Sequence, residues 1–127
     1  MTIYYASKYG AVSDAVEKIN DYLGGRAELF DLGRQGMPKR VDPQGPVLVG
    51  ASIYAGSLLK PAREFCERHM RELLSVKTAL FISCLHEGEE AKRQLESVFP
   101  PELKAHAFGS WSIGGRLEIG KLSILHK

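Results

Sequence analysis

Two rhythms of apolar residues run along the chain. Residues 2–6 are β-branched and aromatic, which suits a strand. A short polar turn ends at Gly10. Val12, Ala15, Val16, Ile19 and Leu23 then recur at the i, i+3, i+4 spacing that predicts a helix over 11–23, closed by Gly24-Gly25. Residues 26–32 read as a second strand through Ala27, Leu29 and Phe30. From 31 to 46, Gly33, Gly36, Pro38, Pro43, Gly45 and Pro46 predict a loop with room for at most one helical turn. Residues 47–51 form a continuous apolar run, as in a strand buried on both faces, and lead into a small-residue loop over 52–57. A helix is predicted over 58–74. Ala62, Phe65, Cys66, His69, Met70 and Leu73 share one of its faces, and Pro61 lies in its first turn. A strand over 78–83, a loop over 84–88 and a helix over 89–99 with an acidic first turn follow, stopped by Pro100-Pro101. Residues 104–111 read as the last strand through Ala105, Ala107 and Phe108. A turn at Ile113-Gly114-Gly115 and a tail over 116–127 complete the chain.

Strands alternating with helices predict an α/β fold with a parallel sheet and right-handed crossovers. In such sheets ligands lie outside the carboxyl ends of the strands. The loops at 7–13, 52–57 and 84–88 all fall there. The first is a strand–loop–helix passage, and the unpaired amides of a helix start, with the helix dipole, favour an anion such as phosphate. Ser7, Tyr9 and Ser13 add hydroxyls to the same spot. An ordinary strand-to-helix turn with a polar edge accounts for these residues equally well.

Composition narrows the classes. The chain has 127 residues, 44% hydrophobic and 25% charged, as expected of one soluble domain spanning 1–127 with 116–127 as a short C-terminal tail. A net charge of +2 gives no basis for nucleic acid or an anionic membrane as partner. No apolar run has the length of a membrane span, and no signal peptide is evident. Cys66 and Cys84 lie far apart and in no CxxC arrangement, which offers neither a disulfide framework nor a structural zinc site and fits a reducing cytoplasm. No nucleophile–base–orienter set and no metal-ligand spacing stands out.

The three loops, in this order, resemble those of a flavodoxin-like domain. Tyr5-Ala6-Ser7-Lys8-Tyr9-Gly10 resembles the phosphate loop of the group that includes the flavin mononucleotide (FMN)-dependent protoporphyrinogen oxidases, and Val49-Gly50-Ala51-Ser52-Ile53-Tyr54-Ala55-Gly56 resembles that group's second cofactor loop. The likeness runs from the first strand to about residue 119. One departure is visible: the pattern has a hydroxyl residue two places after the glycine, where Val12 stands here, with Ser13 one place later.

The resemblance implies a flavodoxin-like three-layer sandwich with a five-stranded parallel sheet in the order 2-1-3-4-5, the second and last helices being reduced or absent. It implies FMN as cofactor. Ser7, Tyr9 and the backbone of Lys8, Tyr9, Gly10, Ala11, Val12 and Ser13 would hold the phosphate. Ser52, Ile53, Tyr54, Ala55 and Gly56 would cover one side of the isoalloxazine, and Cys84, Leu85, His86 and Glu87 the other side or its edge. The implied function is electron transfer or flavin-dependent oxidation of a small or porphyrin-like substrate; the alternative is a flavodoxin-fold module with weak or lost FMN binding that acts through protein interaction.

Several residues keep two readings. Tyr54 stacks on the ring or packs on the neighbouring helix. Cys84 is a redox group or a buried strand-end thiol. His86 contacts cofactor or substrate, or is a surface residue, and Lys8 attracts phosphate or is simply solvated. His69 and His106 read as packing or surface residues, and Trp111 as core or pocket mouth. With no long helix after the last strand, strands three to five would present an apolar face to water unless something covers it. The expectation is a homodimer, or a partner segment, at that face, with the apolar side of the tail taking part.

Overall fold

The computed structural model of the protein describes residues 1–7, 10–54, 57–83 and 88–113. The elements run β1 (Thr2–Ala6), α1 (Ala11–Tyr22), β2 (Glu28–Asp31), α2 (Leu32–Gln35), β3 (Val47–Tyr54), β4 (Ser57–Leu58), α3 (Lys60–Arg68), α4 (Met70–Leu74), β5 (Thr78–Ser83), α5 (Gly88–Val98), α6 (Pro101–His106) and β6 (Gly109–Ile113). The parallel strands lie in the order β2-β1-β3-β5-β6. Counted by themselves they follow the expected 2-1-3-4-5. The addition is β4, which folds back antiparallel on the end of β3.

Each face of the sheet carries its own core. On one face α1 sets Val12, Ala15, Val16 and Ile19 against Ile3, Leu48, Ala79 and Phe81. On the other, Ala62, Phe65, Cys66, Leu73, Leu95, Phe99 and Leu103 from α3, α4, α5, α6 and the residues between them meet Tyr4, Val49, Ala51, Leu80 and Ile82. This division follows from crossovers of one hand running in opposite directions from β1. The apolar surface expected over strands three to five is narrower than anticipated. Leu48, Ala79 and Phe81 are buried, and Trp111 on β6 is half-buried against the α1-side core. Residues 116–127, and with them the tail's expected role, lie outside the described residues.

Local readings shift where tertiary pairing outweighs pattern. β3 continues through Ser52, Ile53 and Tyr54, placed in a loop by sequence, because Ser52 finds Ser83 of β5 as partner and Ile53 and Tyr54 pair with Leu58 and Ser57. The helix predicted over 58–74 begins later, since Leu58 is a buried strand residue, and is interrupted at His69 (φ −109°, ψ 24°). Its hydrogen-bonding continues across the interruption. His69 N–H donates to the Phe65 carbonyl (3.0 Å), and Leu73 N–H donates to the His69 carbonyl (3.0 Å). The last strand is displaced from 104–111 to Gly109–Ile113, and residues 104–106 are helical in α6. Pro101 starts that turn, Lys104 and His106 lie at its carboxyl end, and wholly buried Leu103 anchors it.

Candidate functional site

Strand register brings the starts of the three loops together. Ala6 pairs with Ala51, and Ser52 pairs with Ser83, so the carboxyl ends of β1, β3 and β5 are adjacent. Ser7, the β3–β4 hairpin and the end of β5 therefore border one region. Parallel pairing alone achieves this, since every such strand ends on the same side.

The turn from β1 into α1 rests on two residues. Gly10, at the helix start, has φ 81°, a left-handed conformation that side chains with a Cβ disfavour. It offers no side-chain cap, and Ser7 supplies one from a distance. The Ser7 hydroxyl oxygen accepts from Val12 N–H (3.1 Å) and from Ser13 N–H (3.3 Å). A hydroxyl that accepts two amide hydrogens still has its own proton to give. Ser7 is thus an O–H donor polarised by two helix-start amides, which suits an anionic acceptor. Val12 contributes only its N–H, because its side chain is wholly buried in the α1-side core. Ser13 is half-buried.

Around the second loop, Ser52 is buried and its carbonyl accepts from Leu59 N–H (3.2 Å), tying β3 to the start of α3. Ile53 is half-buried against the α3-side core, and Tyr54 ends the strand by pairing with Ser57. Two residues of the quoted motifs that sequence reasoning gave no role shape the same end of the sheet. Gly50 lies beside Phe81 on β5, and a Cβ built there would fall inside the Phe81 ring. Tyr5 pairs with Gly50 and Asp31. Its phenol is pushed above the ordinary value of 10.0 by burial first and the Asp31 carboxylate next, so it stays protonated. A glycine inside an apolar strand was the available signal for the first, and the second stands at the head of the 5–10 motif, with no signal there for its pairing with Asp31.

Among the other singled-out residues, His69 is buried, and exposed His106 holds the Val76 carbonyl with Nε2 (2.7 Å). Cys66 is buried, and burial pushes its thiol up to about 12, so it is an inert core residue. Lys8, Tyr9, Ala55, Gly56, Cys84, Leu85, His86 and Glu87, together with the Tyr54 ring, lie outside what the structure describes.

A doubly wound parallel sheet, with a glycine-started helix after its first strand and the carboxyl ends of β1, β3 and β5 side by side, defines a flavodoxin-like α/β protein. The chain belongs to the flavodoxin domain family, which matches residues 2–127. It is similar in structure to the rubredoxin:oxygen oxidoreductase of Desulfovibrio gigas, at 12% identity and a TM-score of 0.65, over 98% of this chain and 32% of that one. A candidate flavoprotein from Bacteroides eggerthii matches at 13% identity and a TM-score of 0.61, over 99% of this chain and 97% of that one. A flavodoxin from the domain Archaea matches at 13% identity and a TM-score of 0.54, over 98% and 90%. The chain thus spans about a third of the oxidoreductase and nearly all of the other two. At these identities the likeness is one of fold. No curated protein matches the chain significantly. Among the described residues, no helix is long and apolar enough to cross a membrane.

Proposed function

We propose that residues 1–127 form one domain that binds FMN at the carboxyl ends of β1, β3 and β5 and works in electron transfer or flavin-dependent oxidation. The observation that carries this reading is Ser7, a hydroxyl donor polarised by two amides at the start of α1, in a chain of the flavodoxin domain family. The donor set left for a phosphate would be the Ser7 O–H, the backbone N–H groups of residues 8–11 and the dipole of α1; the Val12 and Ser13 amides, expected in that set, donate to the Ser7 hydroxyl instead. Ser52, Ile53, Tyr54, Ala55 and Gly56 would flank one side of the flavin ring, and Cys84, Leu85, His86 and Glu87 the other side or its edge. The bound flavin would supply the redox chemistry, while the protein supplies position and the hydrogen bonds that tune it. A protoporphyrinogen-like substrate rests on the likeness of the patterns at 5–10 and 49–56, and a cytoplasmic location on cysteine usage. The proposal includes a homodimer, or a covering partner segment, at the face of β3, β5 and β6, with the tail taking part.

Titration with FMN, followed by flavin fluorescence, tests the reading. Saturable binding is expected, and replacing Gly56 by a bulky residue should weaken it without unfolding the protein. Absence of saturable binding to the unaltered chain overturns the cofactor assignment. It would favour the second reading, a flavodoxin-fold interaction module, for which the burial of Val12 in place of a phosphate-facing hydroxyl speaks.

A further inference from the structure

Residues 36–46 take the place of most of a second helix and join α2 to β3 without regular secondary structure. Side chains from elsewhere satisfy their backbone groups, as buried polar atoms require. The Tyr4 hydroxyl accepts from Asp42 N–H (2.9 Å), and Glu72 Oε2 accepts from Val41 N–H. His69 completes the set. Its Nε2 lies 2.9 Å from the Pro38 carbonyl oxygen and its Nδ1 lies 2.7 Å from Glu72 Oε1. The ring is buried, with the Phe65 ring centred 5.4 Å away, which leaves little room for water as a substitute partner.

Both of these partners are acceptors. A carbonyl oxygen cannot donate, and an ionised carboxylate cannot either. Glu72 is held below the ordinary carboxylate range by the Val41 N–H first and by His69 next, so it is ionised near neutrality. Each ring nitrogen must then carry a hydrogen for both contacts to be hydrogen bonds. A neutral ring, itself buried although the Glu72 carboxylate reaches solvent, would set a lone pair against one of the two acceptors.

We propose that His69 is a proton-operated clamp: as a doubly protonated imidazolium it ties the α3–α4 junction to residues 36–46, and loss of its second proton loosens that segment. The charged and titratable groups around the clamp are Glu72 from α4, Arg40 from the held segment and the Tyr4 phenol from β1. Glu72 favours the imidazolium through direct contact. Arg40 acts on the Glu72 carboxylate and helps keep it ionised, and the phenol is neutral because burial above all keeps its proton on.

Imidazole nitrogen NMR on the full chain, combined with amide exchange at Val41 and Asp42, tests the clamp. At about pH 7 both His69 nitrogens should resonate as protonated, and the Val41 amide should exchange slowly. Raising the pH until the ring becomes neutral should speed Val41 exchange by about tenfold or more beyond base catalysis, the factor that a hydrogen bond to a charged group carries. His69→Gln should abolish this extra step. Should that variant fail to fold, Glu72→Gln should give a His69 ring with one unprotonated nitrogen at the same pH. A neutral His69 ring in the unaltered protein at about pH 7, or Val41 exchange with no step as the ring deprotonates, overturns the proposal.

Discussion

Val12 stands two places after Gly10, where the resemblance has a hydroxyl, and its side chain is wholly buried beside Ile3, Val16 and Phe81. Valine and threonine are not interchangeable at such a site, because the hydroxyl needs a partner. Val12→Thr should therefore lower stability by about 1–3 kcal/mol, the cost of an unsatisfied buried hydroxyl, measurable by urea denaturation. Its FMN affinity should not improve; tighter binding would show that the hydroxyl reaches the loop. Gly50 is constrained from the opposite direction. Its missing side chain is the space that the Phe81 ring fills. Gly50→Ala should destabilise by about 1–3 kcal/mol or more, as overpacked cores do, and Phe81→Leu should partly restore the double variant. A double-mutant cycle with no coupling between the two positions would refute this account.

At the scale of elements, legibility depended on length and on partners. α1 was readable because five apolar residues repeat over three turns and Gly10 and Gly24 bracket them. Residues 104–106 of α6 read as strand from sequence because six residues carry too little period; only the burial of Leu103 shows which rhythm wins. The end of β3 reads as loop from sequence because its partners, Ser83 and the β4 residues, are set by tertiary pairing. The α3–α4 pair illustrates a third case. Its apolar face was legible, yet the role of His69 and Glu72 depends on Pro38 and Val41, which lie 31 residues away in each case.

The Glu72 pair also sets a pH dependence. Its folded carboxyl lies below the ordinary value of 4.5, so its contribution to stability is present above that value and is lost as pH falls through the folded one. The acid limb of the stability curve should be shallower in Glu72→Gln than in the parent below pH 4.5, as read from thermal melts across that range. Identical acid limbs would remove Glu72 from the account.

For the whole molecule, the surface that could join two copies is smaller than sequence suggested. Leu48, Ala79 and Phe81 are buried, which leaves Trp111 on β6 and Tyr5 on β1 as half-buried aromatics on that face among the described residues. Light scattering should nevertheless report a dimer if β6 and residues 117–127 form the interface, and deletion of 117–127 should dissociate it. A stable monomer that binds no hydrophobic dye would reject the assembly.

The sequence by itself determined the alternation of strand and helix, the strand order through the family resemblance, and the first helix with its glycine start. These follow from local period, glycine and proline chemistry and the single hand of crossovers, all of which act over short stretches of chain. Tertiary structure alone decided that Ser7 caps α1 from outside it, that Val12 points into the core, that Gly50 makes room for Phe81 and that His69 holds residues 36–46. Each of these depends on a partner brought close by the sheet. A side chain's neighbours across strands are chosen by which distant strand pairs with its own and in what register, and in a parallel sheet those partners lie a crossover away in the chain.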